Sequence, residues 1–126
     1  MKNLLIIFLF ASLSCAAQVT DFVGGTKSSI VEDINKNKAY TETEWEENTL
    51  FSIYNNEVRF GVIFEDDIAT HQVIIYSYSM ANNLMTYLRN NFVEIEKFVH
   101  YVNFESKPIK YYRVKREDNL VLIIHL

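Results

Sequence analysis

The chain has little of what makes covalent staples, hinges or breaks: one Cys, one Pro and three Gly among 126 residues. A single Cys excludes an internal disulfide and a thiolate zinc cluster. Scarce Gly and Pro exclude a disordered or low-complexity chain, and nothing between Val23 and Leu126 is Gly/Pro/Ser-rich enough to separate domains. No Gly-x-Ser-x-Gly elbow, Ser-x-x-Lys pair or phosphate-cradling Gly loop is present, so no enzyme class is indicated and no cofactor is called for. Positive charge is also in deficit, with 12 Lys and Arg against 16 Asp and Glu. That balance argues against nucleic acid or an anionic membrane as a general partner.

The longest unbroken apolar run, Leu4 to Ala11, is too short to span a bilayer, which takes about 20 apolar residues. Lys2 precedes it, and Cys15 and Ala17 follow in the positions a signal peptidase reads. Residues 1–17 are therefore expected to be a secretory signal peptide, and residues 18–126 a single exported domain, periplasmic or extracellular, without an integral membrane span. Cleavage after Ala17 would remove the only Cys, leave 109 of the 126 residues and take the charge from −4 to −5 through loss of Lys2. The alternative keeps Cys15 as an acylated first residue and ties the domain to a lipid surface. Ser14 is suitably small for that reading, but Ser12 stands where a lipoprotein signal usually has Leu.

The remaining chain reads as α+β. Thr26 is placed to cap a helix carrying Ile30 and Ile34 on one face. Leu50–Tyr54 reads as a strand, Asn55-Asn56 as a tight turn, and Val58, Phe60, Val62 and Phe64 alternate with Glu57, Arg59, Gly61 and Ile63. A third strand is expected from Gln72 to Ser79, and a second helix from Met80 through Leu84, Leu88 and Phe92, ending near Asn91 or running on to Val99. Ile109–Lys115 and Leu120–Leu126 complete the strands; the last is apolar on both faces and is expected to be well buried. The expected fold is an antiparallel sheet of about five to six strands with two helices on one face, in a helix–strands order that occurs twice.

Chemistry-bearing residues are sparse. His71, His100 and His125 show no metal spacing, and the acidic turn Glu65-Asp66-Asp67 lacks the spaced acids and central Gly of a calcium loop, so no metal site is expected. Glu57 and Glu65 have only their carboxylates to suggest catalysis. The aromatic content is the stronger lead: nine Phe, eight Tyr and one Trp. Trp45, among four glutamates, and Tyr76, Tyr78 and Tyr101 are the candidate binding residues, because Tyr and Trp combine apolar area with one polar group. The expected function is a non-enzymatic module that binds a protein or other envelope macromolecule through a sheet face or edge. The alternative is a small-ligand carrier or hydrolase with its pocket between helix two and the sheet, lined by Tyr76, Tyr78, His100 and Tyr101.

The order of features resembles small exported proteins of Bacteroidota: a short signal ending in Ala17-Gln18, Gly24-Gly25-Thr26-Lys27 opening a helix, the Asn55-Asn56 hairpin, and the Asn-rich stretch Asn82 to Asn90. The resemblance implies an exported α+β domain and carries no catalytic residues with it.

Overall fold

The computed structural model describes residues 19–96, 100–116 and 118–126, the side chains of Tyr78 and Ala81 excepted. The expected signal peptide, Cys15 and Gln18 lie outside the described residues. From Val19 to Gly25 the chain runs as an irregular lead-in. It is followed by α1 (Lys27–Lys36), β1 (Tyr40–Glu46), β2 (Thr49–Tyr54), β3 (Val58–Glu65) and β4 (Ile68–Tyr76). A short 3₁₀ turn, Tyr78–Met80, leads into α2 (Ala81–Asn91), then β5 (Val93–Glu96), β6 (His100–Asn103), β7 (Lys110–Arg116) and β8 (Leu120–His125).

The eight strands form one antiparallel sheet in the order β1-β2-β3-β4-β8-β7-β6-β5. Each helix precedes a four-strand meander, and the two meanders join where β4 pairs β8, Ile74 opposite Leu122. The expectation of five to six strands was too low. β1 was not anticipated because its four charged or hydroxyl-bearing positions from Thr41 to Glu44 read as a solvated stretch. β5 and β6 were not anticipated because each has only four residues, too few to show a period. α2 stops at Asn91, where the Phe92 N–H still bonds the Leu88 carbonyl but Phe92 itself is extended. The strand expected to run to Ser79 ends at Tyr76, so Tyr78 belongs to the 3₁₀ turn.

Local chemistry accounts for the connections. The Thr26 hydroxyl accepts the Ser29 N–H and starts α1. Asn55-Asn56 are the central residues of the β2–β3 turn, which spans residues 55–57 between the paired Tyr54 and Val58, and Asp66-Asp67 form the two-residue β3–β4 turn, with φ of 51° and 58°, and of 50° and 63°. Positive φ at both central residues matches the twist of the flanking strands, and Asn and Asp tolerate it best after Gly. In β1, the register moves from Thr41 opposite Ile53 to Glu44 opposite Phe51, a bulge in which Glu42 sits at φ 51°.

The expected alternation in β3 holds. Val58, Phe60, Val62 and Phe64 are all buried, while Arg59 is exposed on the other face. They join Ile30 and Ile34 of α1, Leu84, Met85 and Leu88 of α2, and Leu120, Leu122 and Ile124 of β8 in one core cluster. The lead-in belongs to this core: Val19, Phe22 and Val23 are buried, with the Phe22 ring 6.0 Å from Phe60 and 5.9 Å from Tyr40. Two polar clamps hold it. The wholly buried Gln72 accepts the Phe22 N–H through Oε1 at 2.9 Å and donates from Nε2 to the Thr20 carbonyl at 3.0 Å. Asp21 accepts the Tyr112 hydroxyl at 2.7 Å and pairs with Lys110 at 3.3 Å. One segment is thereby fastened to β4 and to β7, one strand from each meander.

Candidate functional site

The face of the sheet turned away from the core cluster carries the arrangement of most interest. Register places its residues in three rows. The first runs Glu46, Thr49, Ile63, His71, His125, Tyr111, Val102, Val93 from β1 to β5. A second runs Glu44, Phe51, Gly61, Val73, Ile123, Arg113, His100, Glu96 across the same eight strands. In the third are Ile53, Arg59, Ile75, Val121 and Lys115.

An antiparallel sheet with a wet side normally shows polar residues there. Here the middle of the wet side is aliphatic and aromatic. Phe51 keeps 43% of its surface and Ile75 37%, while Ile53, Ile63, Val73, Val121 and Ile123 are half-buried. β8 therefore differs from expectation: its even residues are buried, and Val121, Ile123 and His125 lie half-open on this face. Gly61 serves the face directly, since a Cβ there would stand 3.0 Å from the Phe51 ring, which lies across it. The glycine lets that ring lie flat on the strand.

Two ordered clusters flank the apolar middle. His71, His125 and Tyr111 form a cross-strand ladder, with ring centroids 5.9 Å and 5.4 Å apart and both pairs stacked. At the far side, Arg113 Nε donates to His100 Nε2 at 2.8 Å, and His100 Nδ1 meets Glu96 at 2.6 Å. The accepting Nε2 makes His100 the Nδ1–H tautomer, so the imidazole relays between cation and carboxylate. Beside the β1 bulge, a groove of about 560 Å³ opens where Glu44, Phe51, Ile53 and Arg59 meet.

The residues singled out from sequence do not converge on this face. Trp45 lies on the other side of edge strand β1, 44% exposed, 5.8 Å from the Phe64 ring and with Lys27 Nζ 4.9 Å from its centre. Tyr76 is buried and accepts the Val19 N–H at 3.5 Å; burial pushes its phenol up to about 12. Tyr101 is wholly buried, and its hydroxyl has no partner among the described residues. The Tyr78 side chain is outside the described residues. Tyr76 and Tyr101 stand in different rows of the sheet, Tyr76 beside Leu120 and Tyr101 beside Tyr112, so they line no common wall. His100, next to Tyr101 in the chain, faces the opposite way.

Between α2 and the sheet, the space bounded by Ile74, Leu88, Phe92, Tyr112 and Leu122 is about 50 Å³. A ligand pocket needs roughly 300 Å³ or more. Phe92 fills much of it by stacking on Tyr112 at 4.5 Å. Tyr112 is itself raised well above an ordinary phenol, first by burial and then by the Asp21 carboxylate beside it. Its hydroxyl therefore stays a donor to Asp21, and this group closes the structure. Among the described residues no group of three or more His, Cys, Asp or Glu could hold a metal ion, and no helix is long and apolar enough to cross a membrane. Asp66 and Asp67 shape their turn, and the Asp67 carbonyl receives the Lys27 N–H.

No family model, no curated protein and no solved structure matches this chain.

The apolar wet face was accessible to sequence reasoning only in part. The alternating residues of β4 and β8 are apolar at both odd and even positions, and nothing local says which set the helices cover.

Proposed function

We propose that the protein is an exported, non-enzymatic binding module that docks on a macromolecular surface through the open face of its sheet. The observation that carries this reading is the aliphatic and aromatic centre of that face, from Phe51 to Ile123, left in contact with water. Contiguous apolar patches of more than a few hundred Å² are uncommon on monomers and mark interaction sites. The core itself is closed, with about 50 Å³ between α2 and the sheet, which favours surface docking over enclosure of a small ligand.

The leader residues 1–17 support delivery to the periplasm or the extracellular space, with Gln18 as the mature first residue, in keeping with the resemblance to small exported proteins of Bacteroidota. Lipid attachment at Cys15 is the competing form, and it would leave three residues between the anchor and buried Val19. Intact-mass measurement separates a chain starting at Gln18 from an acylated one. The twofold helix-plus-four-strands order acts as a pseudo-repeat that gives one domain a sheet wide enough to dock on.

Co-purification from the envelope fraction tests the function. A photo-crosslinker at Phe51 should trap a protein or polymer, and one at Lys36, on exposed α1, should not. Turnover of a small substrate by a monomer that traps nothing would overturn the reading.

A further inference from the structure

We propose that the macromolecule covering this face is a second copy of the same chain, two sheets packing face to face into a sandwich related by a twofold axis. The proposal rests on the docking reading above and names its occupant. Three observations carry it.

The first is area. Three rows at two-residue spacing, over the five central strands at about 4.8 Å, give a patch of roughly 24 by 20 Å. That is on the order of 500 Å² in projection per copy and about 1,000 Å² for two. This reaches the range in which specific interfaces begin, before side-chain relief is counted.

Charge is the second. The whole chain carries −4, so two copies repel through most of their surfaces. The three rows of the open face hold Arg59, Arg113 and Lys115 against Glu44, Glu46 and Glu96, three charges of each sign. Like molecules can therefore approach through this face without net repulsion. Its carboxylates stand on edge strands β1 and β5, leaving the centre apolar, the layout of an interface core and polar rim.

Third is the state of the edges, which bears on the rival mode of self-association by strand addition. β1 carries Glu42, Glu44 and Glu46 and is bent by a bulge, and β5 has four residues with a register shift between Glu94 and Glu96. Charged, bulged or short edges discourage strand-to-strand pairing. The face remains. Two such sheets stack about 10 Å apart with strands near −30°, and the Phe51 ring lying flat over Gly61 keeps the surface low enough for that spacing.

Analytical ultracentrifugation of the mature protein across micromolar concentrations tests this. The expected result is a reversible dimer. Ile75→Lys and Val121→Lys should each weaken it at least about 100-fold, because a twofold interface meets every substitution twice. Both positions are solvent-accessible in the single copy, and circular dichroism reports whether each variant is folded. As a measurement needing no variant, hydroxyl-radical labelling of Phe51 and Tyr111 should rise on dilution while labelling of Trp45 stays constant. A chain still monomeric at about 100 μM, or a dimer that survives both folded variants, or labelling of Phe51 that ignores dilution, overturns the proposal. A monomer whose Phe51 crosslinker traps a different protein overturns the second copy and leaves the docking function standing.

Discussion

Replacing Gln72 by Leu sets two physical effects against each other at one position, and the sign of the result decides between them. Gln72 is wholly buried, so an apolar side chain of similar size gains roughly 1.5–3 kcal/mol of transfer energy. The same change orphans the Phe22 N–H and the Thr20 carbonyl, which Gln72 satisfies at 2.9 and 3.0 Å. Each such group costs about 1–3 kcal/mol when left unpaired. The lead-in escapes that cost only by peeling off, which exposes Val19, Phe22 and Val23, all buried now. The expected net effect is destabilisation by about 2 kcal/mol, a sizeable part of the 5–15 kcal/mol a domain of this size holds. Urea unfolding followed by circular dichroism gives the energy, and amide exchange at Phe22 shows whether the segment has detached. A variant as stable as the parent, with the Phe22 amide still protected, would refute the assignment of Gln72 as the clamp.

Phe60→Ala removes a ring that contacts Phe22 and Tyr40 and should cost about 3–5 kcal/mol in the same unfolding assay, whereas Arg59→Ala, one residue away on the open face, should change stability by less than about 0.5 kcal/mol. Glu42→Gly relieves a left-handed residue at φ 51° that costs a side chain about 1–2 kcal/mol; after the added freedom of the unfolded glycine, a gain of about 0.5–1 kcal/mol is expected, seen as a higher midpoint. Alkaline stability follows from Tyr76 and Tyr112. Their phenols are raised above the usual 10.0, Tyr76 to about 12, so the unfolded chain gives up protons that the fold retains. Their contribution is complete below pH 10 and declines above it, that of Tyr76 being lost as pH rises through about 12. Unfolding midpoints measured from pH 8 to 12 should fall accordingly, and Tyr112→Phe should flatten the fall.

Where structure is dictated by neighbours within a few residues, the sequence alone was sufficient. The Thr26 cap, the Asn55-Asn56 turn and the burial of Val58, Phe60, Val62 and Phe64 follow from hydrogen-bonding geometry and a period of two. Tertiary structure decided everything that depends on pairing distant segments. β4 and β8, some fifty residues apart, meet because each is an apolar strand paired on one side, to β3 and β7 respectively, with its other edge still to be satisfied, and no periodicity records that choice. The same pairing settled the fates of the aromatics: Tyr76 and Tyr101 share composition and strand context with Tyr111, yet they fall on the core side and Tyr111 on the open one. β1 needed β2 to exist at all, since an edge strand of glutamates and threonines has little apolar surface to fold it alone. Above all, β4 and β8 are apolar on both sides, so their sequences admit either face as the core. The helices and the clamped lead-in occupy one side only, and the other is left open to solvent.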